Sequence, residues 1–505
     1  MSKFSFENLP QLQIINHEQI KEIHENAMEI LGTSGVRFEY HKALEILAAA
    51  GCQVDFDTMV VKIPRDLVED SIKKAPETFS LYDREGNFYC EFGDGQPRFN
   101  PGSSSVLVLD RDGLTSRSST AMDLIAITKV AQAMPQIDFV SSSVVAEEAP
   151  LQLGSQLIYL TEIKHSKKPI IGGAVDEAGP KRTFELLKAV RGSEAEVRNK
   201  PYTIFDICSV SPLSYSHIGA SNIIDCAELD IPIELICASI AGATAPVSLA
   251  GALLQHTVEI LAGVVLSQVV KPGTPVVYGG APCTFNMKTT YTPMNSIEGD
   301  MIRCGYGVMG KYYGLPTHTY AALSDAKSID YQAGFESGRS ALLATQAGFD
   351  NMSGAGGLNV IAEMSPEKLV MDAEVIGLIK HYKKGINMSA DSMAKDIICK
   401  VGPGGSFLSE RHTLKHFRQE YNYDCDVLNF LDRPAWVKQG APDIMTNARA
   451  KVDNILKDNS NYIDTAREAA LDQAFVKICL EAGIEEPEQY IKYSKSEEQW
   501  EKETK

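Results

Sequence analysis

The sequence predicts an α/β chain built around a (β/α)8 TIM barrel of parallel strands, with an N-terminal accessory region of helices and hairpins. Three observations carry that expectation. From Asp138 onward, strand-like runs ending in Gly, Ser or Pro alternate with helical stretches at intervals of about 30–40 residues, the mark of βα units. Most of these runs are continuously apolar rather than alternating, as strands covered by helices require. No G-x-G-x-x-G follows the first run, which counts against a dinucleotide-binding sheet.

The elements follow in order. Residues 17–31 place Ile20, Ile23, Ala27, Ile30 and Leu31 at helical spacing, and 41–50 repeat the pattern before Gly51, a suitable C-cap. Residues 64–74 form a short amphipathic helix with Pro at its start. Between 79 and 109 the text turns to short alternating runs with Gly-Asn and Asp-Gly turns, which predict hairpins. The eight barrel strands are expected at 139–145, 169–174, 202–210, 232–240, 275–280, 316–323, 349–354 and 396–401. Closing helices are expected at 448–456 and 466–482, with a charged, frayed end from 494. The division is therefore 1–115 for the accessory region, 116–460 for the barrel and 461–505 for a C-terminal helical extension.

Composition excludes several functions. The 505 residues are 44% hydrophobic and 23% charged, ordinary usage for a chain with a large core. A formal net charge of -18 argues against nucleic acid or an anionic membrane as a partner, since both need clustered Lys and Arg. It suits a cationic ligand, although acidity also serves solubility alone. Ten cysteines without a C-x-x-C pair read as reduced, mostly buried thiols. Residues 1–10 lack an apolar signal core. The apolar stretch 247–270 contains Gln255, His256, Glu259 and Gln268, costly in lipid, so a helix buried in protein is expected rather than a membrane span. Together these place the chain in the cytoplasm.

In a (β/α)8 barrel the active site lies at the C-terminal strand ends. That rule nominates Glu147 and Glu148, Gly172, Gly173 and Asp176, then Cys208, Ser209, Ser211 and Tyr215. Further on come Gly242, Tyr278, Gly279, Gly280 and Cys283, then His318, Tyr320 and Asp325. The last two ends are Gly354-Ala355-Gly356-Gly357 and Gly402-Pro403-Gly404-Gly405. Small residues at so many ends leave room for something broad and flat, or else serve tight loops and close helix packing. The histidines form neither H-E-x-x-H nor H-x-H, so no metal is expected; zinc would need ligands from distant loops, such as His318 with Cys283.

The stretch Gly242-Ala-Thr-Ala-Pro-Val-Ser-Leu-Ala-Gly251 resembles the trimethylamine methyltransferase family. The likeness continues through Leu261-Ala-Gly-Val-Val-Leu-Ser-Gln268, Pro272-Gly-Thr-Pro-Val-Val-Tyr-Gly279 and Tyr313-Gly-Leu-Pro316. It also takes in Ser324-Asp-Ala-Lys327, Gln332-Ala-Gly334, the Gly402–Gly405 loop and Leu431-Asp-Arg433. The resemblance implies a (β/α)8 barrel that presents a methylamine to cob(I)alamin on a small corrinoid protein, and it suggests a homo-oligomer. No D-x-H-x-x-G motif occurs, so the cobalamin must arrive on a partner and no cofactor is bound in this chain. Archaeal members carry pyrrolysine just before the S-D-A-K segment; here Ala322 falls at that position. The chain therefore resembles the non-pyrrolysine branch, whose substrates are betaine-type quaternary amines.

The chemistry agrees with that assignment. A quaternary nitrogen leaves as a neutral amine and needs no acid, whereas unprotonated trimethylamine would leave as an amide anion. The protein must then orient a cation and exclude water. Aromatic faces hold a trimethylammonium head at roughly 0.5–2 kcal/mol per ring. Tyr320, Tyr278, Phe205 and Tyr215 are the candidate cage rings, with ordinary packing as the alternative for each. Asp325 is the candidate charge, or else a cap or a partner of Lys327. Gln332 and Glu336 lie on the next helix beside the substrate position that includes Ala322. His318 is the first choice, ahead of Arg303, to meet a betaine carboxylate. Gly279, Gly280, Gly354, Gly356, Gly404 and Gly405 are the expected corrinoid approach. Two other readings stay open: a zinc-dependent barrel methyltransferase, and a non-catalytic barrel that binds quaternary amines.

Overall fold

The computed structural model describes residues 14–102, 104–421, 425–458 and 463–494; the charged end expected to fray lies outside them from 495. Eight short strands are each followed by a long helix. β1 (Arg98–Asn100) precedes α1 (Ala121–Ala133), β2 (Val140–Ser141) precedes α2 (Gly154–His165), and β3 (Ile170–Gly173) precedes α3 (Gly179–Arg191). β4 (Thr203–Cys208) and α4 (His217–Glu228) come next, then β5 (Ile233–Cys237) and α5 (Leu249–Val270). The series ends with β6 (Val276–Gly280), α6 (Ile297–Tyr312), β7 (His318–Tyr320), α7 (Tyr331–Ala347), β8 (Asn351–Ser353) and α8 (Pro366–Lys383). Side-chain oxygens start many of these helices: Thr120 forms a capping box with Asp123, and Ser216, Ser296, Asp330 and Ser365 cap α4, α6, α7 and α8.

The strands form two parallel sheets, β2-β3-β4-β5-β6 and β7-β8-β1. Backbone hydrogen bonds also join the sheets at both edges. The Tyr278 amide donates to the Pro316 carbonyl at 2.8 Å, and the Asp138 amide donates to the Phe99 carbonyl at 2.8 Å. The strand expected at 396–401 is instead a helix, Lys395–Val401, and it buries no side chain. A parallel strand must be covered on both faces, and this segment is covered on neither. Beside β8 the strand position is filled by Arg98–Asn100, drawn from the stretch read as accessory.

The period-two alternation of each strand separates two environments. Outward side chains, among them Phe99, Phe205, Leu235, Tyr278 and Met352, join the main core with the helices. Inward, Phe139, Ile171, Ile204 and Val277 form a separate apolar cluster with Phe79, Leu81 and Phe92. The latter three belong to the hairpin Phe79–Tyr82/Phe88–Phe92. That hairpin seals the N-terminal end of the strand array with apolar side chains, which leaves the opposite end for a ligand.

Helix α5 is the one described helix long and apolar enough to cross a membrane. It packs on β5 and β6 on one side and against His17–Thr33 and Arg65–Lys74 on the other. A helix enclosed this way is apolar all round because every face meets protein. Its polar side chains have partners: Gln268 donates to the Thr274 carbonyl at 2.8 Å, and Glu259 accepts from Ser209 at 2.5 Å and Ser211 at 2.9 Å.

Candidate active site

One step above the apolar plug, the inward positions turn polar. Asp206 on β4 stands in register with Glu234 on β5. His318 on β7 stands in register with Asn351 on β8. Glu234 Oε1 lies 3.3 Å from His318 Nδ1, and Asn351 donates to Glu234 Oε2 at 3.2 Å. His318 Nε2 meets Ser353 Oγ at 3.0 Å, while Asn100 on β1 donates to Asn351 Oδ1 and Ser353 Oγ at 3.0 and 2.9 Å. Six side chains from five strands thus form one polar network, buried except at half-buried Asp206.

Burial decides the charge of this network. It pulls the His318 imidazole down to about 3, so the ring is neutral at physiological pH. The same desolvation raises the Glu234 carboxyl well above its usual range, and the charge of Asp206 beside it adds to the effect. Asp206 is raised to about 7, mainly by burial, and a hydrogen bond from Glu234 moderates the rise. The 3.3 Å His318–Glu234 contact is therefore a polar contact between neutral groups rather than an ion pair. Asp206 carries whatever negative charge the pair holds near neutrality.

Asp206 and Cys208 both face inward on β4, and protein surrounds them densely enough that burial pushes the Cys208 thiol up to about 12. Yet Asp206 is only half-buried and Cys208 is exposed, as is Ala238 at the end of β5. Crowded side chains that still meet solvent are consistent with a recess open at the C-terminal strand ends. Above the polar layer, Ile236, Ala281, Cys283, Met294, Tyr320 and Leu323 make an apolar cluster. The Tyr320 ring stands edge-on to His318, with centroids 5.2 Å apart.

The expected site residues divide. His318 and Tyr320 face inward, in the network and directly above it. Asp325 ties its loop to the one before α6: its carboxylate accepts from the backbone amides of Met294 and Asn295 at 3.1 and 2.8 Å. Glu336 accepts from Ser324 Oγ at 2.6 Å and the Asp325 amide at 2.8 Å, and Gln332 donates to Glu336 at 2.9 Å. These three brace the loop after β7. In that loop Ala322 adopts φ 61°, a left-handed conformation uncommon for alanine, with its amide held by Ser340 Oγ at 3.1 Å.

Phe205, Tyr278 and Tyr215 do not join the inward group, and their placement in a ligand cage is corrected. Phe205 and Tyr278 are out of phase with Asp206 and Gly279, so they point into the helix layer. Tyr278 donates to Thr257 on α5 at 3.1 Å. Tyr215 stacks on Phe38 and donates to the Glu259 carbonyl at 2.9 Å. The glycines are also reassigned. A Cβ at Gly279 would come within 3.0 Å of His318 Nδ1, and one at Gly280 would strike His256, so both make room for histidines rather than for a flat ligand. Gly354 and Gly356 follow β8 and are closely packed against Leu323 and Leu369. Gly404 and Gly405 lie in an exposed loop after the helix Lys395–Val401, not at a strand end. Among the described residues no metal-holding group of His, Cys and acid forms at the strand ends.

Asp206, Glu234, Asn351 and Asn100 were not singled out from the sequence. The signal for the first two was present: single carboxylates inside otherwise apolar strand runs, where an unpaired charge is costly.

An alternating parallel α/β chain, sealed at one end and polar at the other, has the layout of an enzyme that works at its strand ends. The model of one family, trimethylamine methyltransferase (MTTB), matches residues 2–479, and the chain belongs to that family. It is similar to the glycine betaine methyltransferase of Desulfitobacterium hafniense, at 32% identity over 93% of this chain and 97% of the relative. It is also similar to the trimethylamine methyltransferase MttB of Methanosarcina barkeri, at 32% identity over 90% of this chain and 93% of the relative. The crystal structure of the Methanosarcina barkeri monomethylamine methyltransferase (MtmB) shares the fold, with TM-score 0.52 over 88% of this chain and 89% of that one at 10% identity.

Proposed function

We propose that this methyltransferase moves a methyl group from a betaine-type quaternary amine to cob(I)alamin carried by a separate corrinoid protein. The observation that carries the reading is the Asp206–Glu234 pair on the wall of the open recess, next to His318 and below Tyr320. A fixed cation entering there meets a carboxyl pair that can hold negative charge. The reading also takes the eight strands as a closed (β/α)8 barrel, supported by the edge bonds Tyr278 to Pro316 and Asp138 to Phe99.

The corrinoid, when docked, supplies the nucleophile that accepts the methyl group. Everything else falls to this chain. Asp206 attracts the cation, and the face of Tyr320 holds its methyl groups. His318, neutral and fixed between Glu234 and Ser353, offers a polar edge to the substrate carboxylate. The C–N bond breaks with its electron pair left on nitrogen, so a neutral tertiary amine departs and no proton is needed. That suits a site whose histidine is not protonated and whose carboxyls lie low in the recess. Ala322 at the position of pyrrolysine in archaeal relatives supports a donor that needs no such residue.

The test mixes the protein with a corrinoid protein reduced to Co(I) and a panel of betaines and methylamines. Loss of the Co(I) visible spectrum with a betaine, and slower loss with trimethylamine, is the expected result. Preference for trimethylamine over every betaine overturns the substrate class, and turnover without any corrinoid protein overturns the acceptor.

A further inference from the structure

After α8 the chain leaves the strand array, and the described residues of 384–442 have little core of their own. The helices Ala390–Met393, Lys395–Val401 and Arg433–Lys438 bury no side chain. Within the helix Arg411–Glu420, His416 is the one buried residue among the described side chains, at 9% exposure. A segment this poor in buried apolar surface requires another source of order, and small units commonly obtain it from a bound metal.

The buried histidine has the company a metal needs. His412 and His416 sit one turn apart on the same helix face, with ring centroids 4.2 Å apart. Both rings converge on Asp391 from a different segment. His416 Nε2 lies 3.1 Å from Asp391 Oδ2, and His412 Nε2 lies 2.9 Å from the Asp391 carbonyl oxygen. One ligand atom from each of the three side chains falls within 4.8 Å of the others. Lys415 reaches the same carboxylate oxygen at 2.5 Å, so a cation already occupies part of the space a metal would take.

We propose that Asp391, His412 and His416 form a zinc site that staples the 389–394 turn to the helix Arg411–Glu420. Two imidazoles and one carboxylate suit zinc, with water in the fourth position, whereas magnesium and calcium favour all-oxygen shells. Sequence motifs do not reveal the site, because its third ligand lies 21 residues before the first histidine, on a separate turn.

Full-length protein freed of metal and titrated with Zn2+ alone, against a chromophoric chelator, is expected to bind about one equivalent. The His412→Gln/His416→Gln double variant is expected to lose that equivalent while keeping its circular dichroism spectrum. Zinc is expected to slow proteolytic cleavage within 384–442 in the wild type and not in the double variant. Lys415→Gln, which removes the competing ammonium, is expected to bind zinc several-fold more tightly. Equal zinc uptake by wild type and double variant overturns the site. Uptake that leaves cleavage unchanged overturns the staple.

Discussion

Asp206 and Glu234 occupy paired positions on neighbouring parallel strands, both facing inward, with Glu234 donating a hydrogen bond to Asp206. Two carboxyls this close in a desolvated wall do not both ionise, so the pair holds at most one negative charge, gained as pH rises through about 7. A quaternary cation changes that balance. It keeps its charge at every pH, and its approach favours the ionised form of the carboxyl it meets. The pair therefore costs stability in the free protein and stores attraction for the substrate.

Asp206→Asn separates these two effects. Loss of the charge facing the cation is expected to cost about 2–3 kcal/mol, roughly a hundredfold in kcat/KM, with most of the loss in KM. Stability is expected to move the other way. The folded-state pKa of Asp206, about 7, lies above the ordinary aspartate value, so the folded state keeps a proton that the unfolded chain releases. The Asp206 contribution to stability is thus full below the ordinary carboxylate range, falls as pH rises to about 7, and is flat beyond. The variant should melt higher than wild type at pH 8 and close to it at pH 4. A variant with lower Tm at pH 8 and unchanged KM contradicts both halves.

Binding of a betaine should itself depend on pH. The substrate ammonium does not titrate, and the His318 pKa of about 3 keeps the ring neutral through the working range. The Asp206–Glu234 pair remains as the group that changes. The dissociation constant is expected to rise as pH falls below about 7 and to level off above it. Calorimetric titration in matched buffers should also show proton release on binding near pH 7. A pH-independent constant would remove the pair from the binding site.

How much of this was legible depended on phase. The apolar runs at 202–210 and 232–240 announced two strands, but a run of apolar residues does not say which side chains face inward. Phe205 and Tyr278 read as cage rings because they are aromatic and near strand ends; the helix layer claims them instead. Asp206 could have set the phase, since a carboxylate in such a run points to the polar face of the strands, and Ile204 and Cys208 follow from it. β1 was beyond reach. Arg98–Asn100 is three residues long, sits among hairpin turns, and becomes a strand through pairing with β8 rather than through any pattern of its own. The resemblance to the family was legible throughout, because it rests on short segments whose identity and order survive any error of phase.

Gly279→Ala tests the packing that positions His318. The added methyl would lie 2.8 Å from the Leu235 carbonyl oxygen and 3.0 Å from His318 Nδ1. Backbone cannot yield much here, since Gly279 is held in register with Ile236 on β5. A loss of about 1–3 kcal/mol in stability is expected from overpacking, together with a fall in kcat from the displaced ring. Gly273→Ala is the control for a glycine replacement that meets no neighbour, its cost being the strain of alanine at φ 87°. It should lose some stability and leave kcat unchanged.

Asp325→Ala tests the loop brace. Its carboxylate satisfies two buried backbone amides, and removing it strands both, an expected loss of about 1–3 kcal/mol. If Asp325 acts only by holding the loop, Asp325→Asn should recover part of that stability through its remaining amide oxygen, and kcat/KM should recover with it. Recovery of Tm without recovery of kcat/KM would instead place the negative charge of Asp325 in the reaction.

Tyr320 separates ring from hydroxyl. It is 7% exposed in the apolar cluster above the polar layer, edge-on to His318. If its face holds the trimethylammonium head, Tyr320→Phe keeps the quadrupole and should bind a betaine nearly as well as wild type, while Tyr320→Leu keeps apolar bulk without a π face. The Leu variant is expected to bind about tenfold more weakly, within the range of one cation–π contact. An uncharged isostere of the betaine, with carbon in place of nitrogen, should be indifferent to the same change, because the ring quadrupole acts on charge and not on shape. Equal weakening of both ligands by Tyr320→Leu would mean that the ring shapes the recess without recognising the cation.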